Sequence, residues 1–113
     1  MVSEKDKLRI IHIFEAIELI EQFVLGVSRD IFVNSVPLQR QVYYEMAVIG
    51  EASNKVEKST QEKYQEVSWR DAVDMRNVII HEYFGVDAEK VWDTVQSDIP
   101  LLKSQIEKII KEL

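Results

Sequence analysis

A chain of 113 residues, 46% apolar and 30% charged, is long enough to bury one core and has the composition of a globular domain. Three glycines and two prolines are too few for the many turns of a β-sandwich, and the absence of cysteine removes disulfides and thiolate metal sites. A net charge of −6 counts against a general nucleic-acid binder, which carries a basic footprint, but not against an enzyme that uses a few cations in a cleft.

The N-terminal "MVSEKDKLRI" has no apolar signal-peptide core and no small-residue cleavage site. No apolar run approaches the ~20 residues of a membrane span. A cytosolic protein with no membrane segment is the simplest reading, with one helical domain over residues 1–113. Ser3 and Asp6 have the spacing of a capping box at the start of a first helix. Leu8, Ile11, Ile13, Phe14, Ile17, Leu19, Ile20, Phe23 and Val24 then recur at helical spacing, a face broad enough for more than one neighbour. Gly26, or the "SRD" that follows, ends it.

After the short stretch "RDIFVNSVP", Pro37 suits the first turn of a second helix, where its missing N–H has no partner to lose. Val42, Met46, Ile49 and Val56 mark its apolar side. Gly50 costs about 1 kcal/mol against alanine in a helix interior. With Ala47 and Ser53 it forms a small-residue patch that another backbone can approach closely. The polar "TQEKYQEVS" reads as a connector. Ser68 and Asp71 repeat the capping-box spacing, so a third helix starts at Trp69 and stops near Gly85. Asp87 caps a fourth, whose apolar side is Val91, Trp92, Val95, Ile99, Leu102, Ile106, Ile109 and Ile110. Pro100 inside that pattern predicts a kink or brief break. The expected fold class is all-α: an antiparallel four-helix bundle with room for one extra short helix.

The third helix carries "DMRNVIIHEYFGVD". On a helical wheel Arg76, Ile80 and Tyr83 share one stripe and Asn77 and His81 a second, with Val78 and Ile79 pointing into the bundle. Arg76 and His81 lie about 140° apart on a straight helix. They reach one small group only if the helix ends or distorts near His81, or if a second copy contributes. Taken alone, these residues also fit a plainer description. That description is a solvated arginine, a histidine complementing a helix C-terminus, and a core tyrosine with its hydroxyl at the surface. Tyr43 and Tyr44 divide between core and surface, and Trp69 and Trp92 suit packing anchors better than base platforms. The tail "KSQIEKIIKEL" suits a solvated charged face opposite a core stripe.

"RNVIIHEY" matches the Arg-x4-His-x-Tyr pattern without departure. Together with "VIGEASNKV", "SWRDAVDMRNVIIHEYFGVD" and "VWDTVQSDIPLLKSQIEKI", it resembles the HepT-like branch of the HEPN superfamily over nearly the whole chain. The resemblance implies a HEPN-type bundle that dimerises. It implies a metal-independent endoribonuclease that acts as the toxin of a type II/VII toxin–antitoxin pair. The implied partners are an RNA substrate, a homodimer mate and a cognate nucleotidyltransferase antitoxin, which would transfer AMP to the motif tyrosine, Tyr83.

The residues fit such chemistry with no cofactor and no metal. RNA carries its own nucleophile, the ribose 2′-hydroxyl. A histidine such as His81 exchanges protons near neutral pH, and Arg76 stays cationic and can fork onto phosphate oxygens. Asn77 can orient the imidazole or bind a phosphate oxygen. Glu51 and Gly50 can line or tighten the cleft. His12 is the only other histidine, and no two histidines have the i, i+4 spacing of a helical metal site. A two-fold dimer would supply a second His81 and a second Arg76. The rival reading is a catalytically silent helical partner of a nucleotidyltransferase or a nucleotide, in which Arg76 and His81 hold a phosphate without cleaving.

Overall fold

The computed structural model describes residues 1–82 and 85–113. Those residues form an all-α bundle of four long helices and two short ones. They are α1 (Glu4–Val24), α2 (Arg29–Val33), α3 (Val36–Lys55), α4 (Lys58–Lys63), α5 (Trp69–His81) and α6 (Ala88–Glu112). The expected long helices are all present. The room left for one short helix is taken by two, and α4 occupies part of the stretch read as a connector. Tyr83 and Phe84 lie outside the described residues.

α3 is the central helix, packed along α1 on one side and α5 on the other, while α6 closes against α1. Each long helix contributes a stripe at helical spacing: Ile10, Ile13, Ile17 and Ile20 from α1; Val42, Met46 and Ile49 from α3; Val95, Ile99, Ile106 and Ile109 from α6, all buried. Burial of an aliphatic side chain of this size contributes about 1.5–3 kcal/mol. Trp69 and Trp92 are buried as expected, and Tyr43 is buried while Tyr44 is exposed. Trp69 Nε1 donates to the Tyr64 carbonyl at 3.1 Å. Trp92 stacks at a tilt on Phe32 of α2, with centroids 5.4 Å apart, and Arg29 pairs with Asp93 beside them. In the tail, Ile106 and Ile109 are buried while Glu107, Lys108, Lys111 and Glu112 face solvent.

The helix ends follow local chemistry. Ser3 Oγ accepts from Asp6 N at 3.1 Å, and Asp87 Oδ1 accepts from the amides of Glu89 and Lys90 at 3.0 and 3.3 Å. Gly26, at φ 72°, turns the chain after α1 in a conformation that side chains with a Cβ disfavour. Ser68, by contrast, stands at the N-cap of α5 without a side-chain capping bond. Pro100 does not break α6, which runs continuously through it. Both Pro100 and Gln96, the residue whose carbonyl loses its helical donor, are exposed to water.

The Asp6 side chain does not complete the capping box: its carboxylate is turned to the α3–α4 corner. Its carboxylate is fully buried and accepts from Glu57 N at 3.2 Å on both oxygens, from Thr60 Oγ1 at 2.6 Å and from Arg9 NH1 at 3.0 Å. Arg9 NH1 also reaches the Lys55 carbonyl at 2.6 Å. One buried anion therefore ties the start of α1 to the α3–α4 corner and supplies the cap that α4 lacks from its own N-cap side chain. A buried carboxylate is costly unless its lone pairs are filled, and here three donors make four contacts with them, the Glu57 amide being shared between both oxygens.

Candidate functional site

α5 buries Trp69, Ala72 and Ile79, and Arg76 falls on the same inward stripe, four residues after Ala72 and three before Ile79. An arginine is tolerated there because α3 presents Gly50. A Cβ built on Gly50 would stand 2.2 Å from Arg76 Cβ and 2.7 Å from the Ala72 carbonyl oxygen, so the two backbones are as close as glycine permits. The small-residue patch is thus filled by α5 of the same chain, and Gly50 is not a surface left open for a second copy.

From this seat the Arg76 side chain, only 18% exposed, runs past Gly50 and turns outward. Its NH1 bonds Glu51 Oε2, and Asn77 Oδ1 accepts from Nε at 3.2 Å and from NH2 at 2.9 Å. Asn77 therefore gives its carbonyl to Arg76 and not to the His81 ring. Glu51 also pairs with Lys55 at 3.3 Å, one helical turn on. The hydrogen bond from Arg76, followed by that from Lys55, holds the Glu51 carboxyl below the usual carboxylate range. The guanidinium has more N–H bonds than these partners use, so donors remain for an incoming oxyanion.

Arg76, Glu51 and Ile80 line a groove of about 580 Å³ between α1, α3 and α5. Its other walls carry Lys5, Arg9 and His12 from α1 and Tyr44 and Lys55 from α3. Sequence reasoning did not bring these residues to Arg76. The signal was present in part, since Lys5, Arg9 and His12 recur at spacings of four and three along one face of α1. What was missing was the packing of α1 beside α3.

His81 is the last residue of α5, and the helix ends there with the Glu82 amide bonded to the Val78 carbonyl at 2.9 Å. It is exposed, does not line the Arg76 groove, and makes no side-chain hydrogen bond among the described residues. Within one chain, then, Arg76, Asn77, Glu51 and Gly50 come together and His81 stands apart. The helix does terminate near His81, four residues short of Gly85. Ile79 is buried as expected, but Val78 is 49% exposed, because the inward stripe passes through Arg76 and Ile79. The placement of Tyr83 falls outside the described residues.

The chain matches the family model described as Ribonuclease HepT-like over residues 13–109. It is 40% identical over 107 residues to a Methanocaldococcus jannaschii protein named "Gamma-glutamylcyclotransferase and putative RNase". That match takes in 95% of this chain but 48% of the other, so the chain spans about half the length of that relative. It is also 40% identical over 109 residues to a Thermococcus cleftensis protein named "Probable ribonuclease HepT", covering 96% of this chain and 97% of that one. No solved structure matches.

The Arg76–Glu51 bond has a measurable consequence. A carboxyl lowered in the folded state contributes stability above its ordinary range, and that contribution is lost as the pH falls through its folded value. In a carboxyl-detected NMR titration, Glu51 should titrate below the other exposed glutamates. In Arg76→Ala its midpoint should move up toward them, with Lys55 keeping part of the shift. An unchanged midpoint in that variant would show that the bond does not hold in solution. Matched by that family model over residues 13–109 and by a probable ribonuclease HepT over nearly its whole length, the chain belongs to the HepT-like ribonuclease family.

Proposed function

We propose that this protein is a metal-independent endoribonuclease and the toxin of a type II/VII toxin–antitoxin pair. The observation that supports it most is the fixing of Arg76, held by Glu51 and Asn77 against Gly50, five residues before an exposed His81 in a HepT-like chain. In this reading the ribose 2′-oxygen attacks the adjacent phosphorus. The O2′–P bond forms, the P–O5′ bond breaks, and a 2′,3′-cyclic phosphate results. His81 takes the proton from the 2′-hydroxyl, and Arg76 offsets the charge that builds on the phosphoryl oxygens. A second imidazole protonates O5′ as it leaves. His81 lies outside the Arg76 groove of its own chain, which favours a two-fold dimer whose cleft draws Arg76 and His81 from both copies. Asn77 and Glu51 act as positioning residues for Arg76.

Tyr83 is the proposed acceptor of AMP from a cognate nucleotidyltransferase antitoxin. It follows His81 by two residues. An adenylyl group there adds bulk and a phosphodiester charge beside the motif, where it would compete with the substrate phosphate for Arg76. The net charge of −6 favours the rival reading of a silent partner that binds a nucleotidyltransferase or a nucleotide, and RNA cleavage separates the two.

The purified protein should cut RNA in the presence of EDTA and leave cyclic phosphate ends, and Arg76→Ala or His81→Ala should reduce the rate at least a hundredfold, on the order of what a general acid–base group or an oxyanion donor supplies. Wild-type rates in both variants would remove the assigned chemistry, and an inert wild type would favour the silent partner. After co-expression with a cognate nucleotidyltransferase, intact mass should rise by AMP increments that map to Tyr83 and vanish in Tyr83→Phe. Adducts confined to another residue would overturn that assignment.

A further inference from the structure

We infer that the groove between α1, α3 and α5 holds the RNA strand itself, with Lys5, Arg9 and Lys55 meeting backbone phosphates on the way to Arg76 and Tyr44 stacking a base. This rests on the ribonuclease reading and adds the surface that the substrate uses. The chain carries −6 overall, yet its groove gathers Lys5, Arg9, Lys55 and Arg76, with Glu51 the one carboxylate on its lining and the buried Asp6 bonded to Arg9. A local excess of cations in an acidic protein selects a polyanion by position and not by net charge.

The cationic and aromatic residues of the groove suit that occupant, and the rest of its lining apart from His12 and Glu51 is apolar: Leu8, Ala47, Val48, Ala52 and Ile80. Lys5 sits in the first turn of α1, where a cation opposes the helix dipole, and it has no ion pair among the described residues. Neither local helix stability nor a partner in the fold accounts for it. Arg9 is anchored through NH1 by Asp6 and the Lys55 carbonyl, so its remaining N–H bonds are held in place before any ligand arrives. Tyr44 is 68% exposed on the wall of the same groove. An exposed ring beside a cationic track is the arrangement with which single-stranded nucleic acids are bound without base-specific hydrogen bonds. Tyr44 and Lys55 are about 16 Å apart along α3 at the rise of a helix, enough for a short stretch of strand.

A second copy of the chain is a less favoured occupant. A second copy seated along the groove would set Lys5, Arg9 and Lys55 against their own images, so the two-fold cleft proposed above would meet the groove only at its Arg76 end.

The test uses the full-length protein and a fluorescein-labelled, single-stranded 2′-O-methyl oligoribonucleotide, which lacks the attacking hydroxyl and reports binding apart from cleavage. Tyr44→Ala should weaken binding about tenfold. Lys5→Gln with Lys55→Gln should weaken it and flatten the slope of log affinity against log salt by about 1.4, or about 0.7 for each lost phosphate contact. Lys108→Gln, on the exposed side of α6, should leave both unchanged. If the wild type cuts RNA while the groove variants bind and cut like it, the groove inference fails and the ribonuclease reading stands. If the wild type binds through these residues but never cuts, the groove stands and the ribonuclease reading falls. No binding of the oligonucleotide at all, or variants that change sedimentation mass in place of affinity, would overturn the groove assignment.

Discussion

The contact on which the site depends is the approach of α5 to α3 at Gly50. Nothing larger than hydrogen fits there, because both the Arg76 Cβ and the Ala72 carbonyl oxygen would collide with a methyl group. The approach lets an arginine occupy an inward position of a packed helix without stranding its charge. The aliphatic stem lies against the bundle, and the head emerges beside Glu51, the residue after Gly50. A glycine in mid-helix gives up about 1 kcal/mol of helix propensity. What is obtained in exchange is a guanidinium held in place by Glu51 and Asn77, with little conformational freedom left.

The same economy governs the scaffold. Asp6 is a buried charge that would be a liability by itself, yet its contacts join α1 to the first turn of α4, and through Arg9 to the end of α3. Because Arg9 is one of its partners, the clamp that joins the helices also fixes a cation on the groove wall. Stability and electrostatic layout are thereby coupled. Loosening the α1–α3 corner would move Arg9 and Lys55 relative to Arg76, and packing alone cannot hold such long side chains in place.

The long helices were legible because their apolar residues repeat with helical period and because Ser3, Pro37 and Asp87 mark starts that local chemistry dictates. α4 was not legible. It buries only Thr60 and is held by a carboxylate 54 residues away, so no periodicity announces it. Ser68 had the spacing of a capping residue without making the bond. For the site, spacing correctly put Arg76 and Ile80 on one face and His81 elsewhere, and Gly50 was recognisable as a point of close approach. That its partner would be Arg76 of the same chain required the packing of α3 on α5. Lys5, Arg9, His12, Tyr44 and Lys55 come from segments far from the motif, and only the assembled bundle shows them on the same groove.

If Gly50 seats Arg76 for the proposed phosphoryl chemistry, the measurement that decides it is the RNA-cleavage rate of Gly50→Ala under conditions where circular dichroism shows it folded. The added methyl must push α5 away or turn Arg76 aside, and a displacement of about 1 Å at a reacting group can cost about a hundredfold in rate. A loss of that order with helicity preserved is expected. A folded Gly50→Ala protein that cuts RNA at the wild-type rate would contradict it.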